Sequence, residues 1–137
     1  MSNNLIVPIS RLPIDFLELQ KVVEAKFSEI FGGIFLKFSR LKSRDADDLE
    51  SGFVEIQGPS PGDWCLLSFA WLEQAVREDD ESDLNYYVSV STRGEKRFSA
   101  ILIASLSAFG ARVAYDDSHF LGEKDKLNIS DLTEIKE

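Results

Sequence analysis

The stretch from Tyr86 to Asp117 constrains this chain most. A β-branched run (YYVSVSTRG), an apolar helix candidate (KRFSAILIASLSAFG) and a short strand ending in two acids (RVAYDD) follow one another without a linker. Tyr87, Ser89 and Ser91 alternate with Tyr86, Val88 and Val90, the period of a strand in a sheet with one wet face. Gly94 breaks that strand. A helix is predicted from about Glu95 to Phe109, with Gly110 ending it, because glycine adopts the left-handed backbone that helix ends favour. The unit reads as strand, helix, strand.

Upstream, LIVPI (5–9) is apolar enough for a strand, and Pro8, having no N–H for a ladder, would confine it to a sheet edge. Phe16, Leu19, Val23, Phe27 and Ile30 then recur at three- and four-residue spacing, a helix with Pro13 in its first turn, Asp15 and Glu18 at the positive end of its dipole and Gly32–Gly33 as its stop. From Ile34 the period changes to two through Leu36 and Phe38. The polar connection SRDADDLESG leads to a second strand, Phe53–Gln57, closed by Gly58 and Pro59, so the pair reads as a hairpin with a long acidic tip. Ser60, Pro61 and Asp63 resemble a helix start, and a helix over 64–76 would place Trp64, Leu67, Trp71 and Ala75 on one face. A strand over CLLSFAW satisfies length and aromatic content as well; the cap and the helix formers Leu72–Arg77 favour the helix. Beyond Asp117 the chain grows polar, and a frayed tail is expected from about residue 122.

These elements predict an α+β fold, a mostly antiparallel sheet with helices on one face. Its start is ferredoxin-like (β-α-β-β-α-β), extended by α-β. The 137 residues suit a single domain, and 44% apolar content with ten Phe excludes wholesale disorder. Cys65, the only cysteine, lies between Trp64 and Leu66 and reads as a small buried hydrophobe rather than a reactive thiol. No run approaches the roughly 18 apolar residues that span a bilayer. The N-terminal residues lack the basic region and apolar core of a signal peptide, so a cytoplasmic location is expected.

Charge narrows the partners. Fifteen basic against 24 acidic residues leave a net charge of −9, which repels nucleic acid and anionic membrane surfaces and favours a basic protein. The acids concentrate in two runs: Asp45, Asp47, Asp48 and Glu50, then Glu78, Asp79, Asp80, Glu81 and Asp83. Charge runs are ordinarily solvated loops. If both lie at one end of the sheet, however, they form a negative patch that would steer a basic partner, with Leu49 and Leu84 as apolar anchors.

Signals for catalysis are sparse. His119 is the only histidine, no serine sits in a G-x-S-x-G elbow, and one Cys with one His supplies no usual zinc set. The expectation is a non-enzymatic protein without metal or cofactor. An alternative is a small enzyme or ligand site at Asp116, Asp117 and His119, although neighbouring strand residues point to opposite faces and Asp pairs commonly form turns. Arg93, Lys96 and Arg97 at a helix start would suit an anion, or would pair with nearby acids. A homo-oligomer burying the second sheet face is a further alternative.

The segments YYVSVSTRG, KRFSAILIASLSAFGA and VAYDDSHFLG resemble, as a pattern of residue types, small bacterial immunity proteins of polymorphic or contact-dependent toxin systems. That resemblance implies a short, acidic, cytoplasmic protein without enzymatic activity that neutralises a cognate toxin by occluding its active site or a neighbouring surface. No toxin-contacting residue carries over, because immunity families differ in the surface they use.

Overall fold

Period-two burial builds the sheet. In the computed structural model, which describes residues 3–33, 36–42, 48–73 and 82–135, seven strands pair: β1 (Asn3–Ile9), β2 (Lys37–Leu41), β3 (Phe53–Gln57), β4 (Trp64–Trp71), β5 (Tyr86–Arg93), β6 (Val113–Tyr115) and β7 (Lys126–Asn128). Their order is β2-β3-β4-β5-β1-β6-β7, every pairing antiparallel. Register sets Leu5 opposite Val90, Val90 opposite Leu67, and Leu67 opposite Val54. Each is at most 1% exposed, so this row runs straight across the core face. The α+β expectation therefore holds, with α1 (Phe16–Phe31) and α2 (Lys96–Ser105) packed on that face.

Local chemistry places α1. Asp15 is its N-cap and accepts from the Glu18 N–H at 2.7 Å, while Glu18 reaches back to the Ile14 N–H at 2.7 Å. Reciprocal caps of this kind satisfy N–H groups that the first turn cannot. Pro13 thus lies before the cap, not in the first turn. Gly32 (φ 76°) closes the helix with its N–H on Ser28 O at 2.8 Å. Leu19, Val23 and Phe27 form the buried stripe, and the Phe27 ring lies 5.7 Å from Phe31 and 5.8 Å from Phe98. α2 is buried from Phe98 through Ser105 because α1 and the 3-10 helix Ile129–Glu134 cover it.

Three expectations are corrected. Trp64–Trp71 is strand β4, not a helix: Cys65, Leu67 and Phe69 are buried alternately. The cap-like Ser60–Asp63 instead makes a turn, with Asp63 N–H on Ser60 O and Gly58 N–H on Asp63 O, both at 3.0 Å. Residues 74–76 of that expected helix lie outside the described residues. The third element after α1 is therefore another strand, and a four-stranded meander replaces the ferredoxin-like start. β1 is interior rather than an edge. Its ladder to β6 is registered only at Ile6↔Tyr115, which leaves no pairing on that side for Pro8 to interrupt. The tail is packed through Ile135, since Lys126–Asn128 pairs with β6 and Ile129 and Leu132 are buried.

Cys65 is fully buried, and burial pushes its thiol well above the ordinary range, partly offset by a hydrogen bond with Thr92. A thiol held protonated and shielded is a poor nucleophile. Ellman's reagent is expected to leave the native protein unmodified for hours and to react fully once urea unfolds it. Rapid native labelling would show that β4 opens.

Candidate partner-binding surface

The meander decides where the acid-rich connections emerge. β2 ends at Leu41, β3 begins at Phe53, β4 ends at Trp71 and β5 begins at Tyr86. The registers put these four residues, with Ile9 of β1, at the same end of the sheet. The β2–β3 and β4–β5 connections therefore share an end, called here the Trp71 end. Asp45, Asp47, Glu78, Asp79, Asp80 and Glu81 lie outside the described residues; Asp48, Glu50 and Asp83 are described.

Arg40 organises the return into β3. Its guanidinium donates to the carbonyls of Asp48 at 2.9 Å, Ser51 at 2.7 Å and Phe53 at 3.1 Å. Those bonds hold Glu50 in solvent and Leu49 in the core. Asp83 is exposed and takes a bidentate pair from Arg112 at 3.0 and 2.9 Å. The Arg112 hydrogen bonds hold its carboxyl below the usual carboxylate range.

The expected anchors Leu49 and Leu84 are corrected: they are 3% and 0% exposed and belong to the interior. The apolar surface at this end is supplied by others. Trp71 is 53% exposed and meets Tyr86 edge-on at 5.3 Å; Ile6 is 38% exposed. With Leu72, Glu73 and Tyr87 they line a concavity of about 360 Å3. Reading 64–76 as a helix groups Trp71 on one face with Trp64, Leu67 and Ala75, and that grouping does not single out Trp71 as the exposed residue. A terminal aromatic just before a polar run, in a strand reading, was the available signal.

The alternative site is built differently from a ligand cluster. β6 runs antiparallel to β1, so the chain after Tyr115 leads away from the Trp71 end. Asp116 is fully buried, its oxygens accepting from Ser118 Oγ at 3.2 Å, Phe120 N–H at 3.1 Å and Leu121 N–H at 2.8 Å. Asp117 is exposed, and His119, at φ 57°, pairs through Nε2 with Asp125. Asp116 and His119 thus face different partners, and Asp117 is exposed. Among the described residues no group of three or more His, Cys, Asp or Glu side chains has a metal-holding arrangement.

Two of the three basic residues at α2, Arg93 and Arg97, are also engaged within the fold. The buried Asp63 carboxylate accepts the Glu95 N–H at 2.9 Å, filling with an internal anion the place where an external one would bind. Gly94 (φ 102°) is required there, since a Cβ would lie 2.3 Å from Asp63 Oδ1. Arg93 stacks on Trp64 at 4.6 Å and Arg97 on Phe31 at 4.4 Å.

Neither a family model, a curated protein nor a solved structure matches the chain. No helix among the described residues is long and apolar enough to cross a membrane.

Proposed function

We propose that this chain is a non-enzymatic protein-binding domain of the immunity type, which neutralises a basic toxin domain by covering it with the acidic end of the sheet. The observation that supports this reading best is topological. Both acid-rich connections leave from and return to strand ends at one end of the sheet, and Asp48, Glu50 and Asp83 are the members of the two acid runs among the described residues. Such a field accelerates encounter and orients the partner more than it adds affinity. A basic domain held over this end would have its active surface sterically blocked.

The test begins with affinity capture at low and high salt to obtain a partner, followed by stopped-flow association. Replacing Asp47, Asp48, Asp79 and Asp80 together by Asn is expected to slow association by about tenfold or more at low ionic strength and to flatten its salt dependence. The far-UV spectrum should stay native. An on-rate equal to wild type would remove the acidic surface from the mechanism.

A further inference from the structure

We infer that the sheet face opposite α1 and α2 docks a second copy of this chain, the two faces packing with their strands antiparallel. Strand alternation defines that face. Between the buried residues of β4 and β5 stand Leu66, Ser68 and Ala70, paired in turn with Ser91, Ser89 and Tyr87, all partly exposed. Ile6, opposite Ser89 on β1, is 38% exposed. None of these residues is charged, in a chain whose charged residues make up 28%. A solvated sheet face is ordinarily polar, whereas depletion of charge marks the core of a protein interface. One hydroxyl is already prepared for burial, since Ser91 Oγ donates to Asn4 Oδ1 at 2.7 Å and needs no water.

Charge at the two ends of the face selects the occupant and its direction. The end away from Trp71 is cationic: the registers align Lys37, Gln57, Trp64 and Arg93 in one row, with Lys37 and Arg93 exposed. Arg93 lies over Trp64 at 4.6 Å, and the indole N–H donates to Glu55 at 2.9 Å, which fixes the ring. That stack uses the flat face of the guanidinium and leaves its edge donors for a carboxylate. At the other end, Glu73 is exposed and shares a concavity with Ile6 and Tyr87. A two-fold axis lying across the strands brings Arg93 of each copy to Glu73 of the other and sets uncharged centre on uncharged centre. An axis along the strands would instead oppose like charges at both ends.

The area suits a weak dimer. At about 3.4 Å per residue and about 4.8 Å between strands, the face of β2, β3, β4, β5 and β1 covers roughly 540 Å2 per copy. Two copies would then bury roughly 1,100 Å2, just above the ~1,000 Å2 that a specific interface needs. The net charge of −9 on each copy opposes approach at long range, but at physiological ionic strength that repulsion is screened beyond about 8 Å.

The experiment is sedimentation velocity on the full chain from about 2 to 200 µM at about 0.15 M salt, where an interface this small dissociates measurably. The mean mass is expected to rise from one chain towards two. Ser89→Arg, which opposes two guanidinium groups at the centre of the contact, should raise the dissociation constant at least about tenfold while the far-UV spectrum stays native. Arg93→Glu should raise it about three- to thirtyfold, and adding Glu73→Arg should restore it. A wild type that stays monomeric throughout overturns the second copy, and a basic partner whose binding Ser89→Arg then abolishes takes the face instead. Dimers that Ser89→Arg leaves intact overturn the face as the contact. A charge exchange that fails to restore association overturns the antiparallel packing.

Discussion

Replacing Phe27 by alanine is expected to lower the unfolding free energy by about 3–5 kcal/mol, the range for truncating a buried phenylalanine. The ring is 1% exposed and joins the two helices: it stacks on Phe31 one turn along α1 and tilts against Phe98 of α2. Alanine would remove both aromatic contacts and leave a cavity between helices that otherwise pack closely. Domains of this size hold only about 5–15 kcal/mol in total, so much of the stability would go. Urea unfolding followed by circular dichroism should show a lower midpoint at an unchanged slope. Phe27→Leu, which retains most of the volume, should lose less. A loss under about 1 kcal/mol for alanine would mean that α1 and α2 collapse to fill the space, contrary to the large cavity term that close-packed interiors impose.

Asp116→Ala should be the next most damaging change, at about 3 kcal/mol, because hydrogen bonds to a charged acceptor are worth about 1.5–3 kcal/mol and buried N–H groups left unpaired cost about as much again, less relaxation. The carboxylate organises the 117–121 loop through Ser118, Phe120 and Leu121. The Leu121 N–H it receives is buried, so water does not readily replace the acid. Amide exchange should accelerate at Phe120 and Leu121 while β3, β4 and β5 stay protected. Asp116→Asn should lose less, since its carbonyl oxygen accepts one of these bonds. The same pair of variants weighs the alternative ligand site. If Asp116, Asp117 and His119 held a divalent ion, Ca2+ or Mn2+ would raise the melting temperature of wild type and not of Asp116→Asn. Equal melting curves with and without either ion are expected, with Asp116 acting as a loop anchor.

Elements whose partners are near in sequence were legible. The cap at Asp15, the stop at Gly32, the one-sided alternation of β5 and the stops at Gly94 and Gly110 each depend on residues within a turn or two. The 64–76 segment was ambiguous because its cap-like residues answer to distant groups: Asp63 accepts from Glu95 and thereby starts α2, 32 positions later. Once β3 and β5 flank it, CLLSFAW gains two ladders of backbone bonds that a lone helix would not match. The candidate site shared this limit. Charge told that acids cluster, but Leu49 and Leu84, apolar neighbours of those acids, proved to be core.

By itself the sequence determined the α+β class, the positions of both helices and most strands, the buried cysteine and the acidic character. Composition, periodicity and capping are local or additive properties and survive without a structure. Only the tertiary structure decided that β1 is interior, that Asp63 caps α2, that both acid-rich connections share an end and that Trp71 rather than Leu49 or Leu84 faces solvent there. Each depends on which strands become neighbours. That choice is made by the packing of residues far apart in the chain.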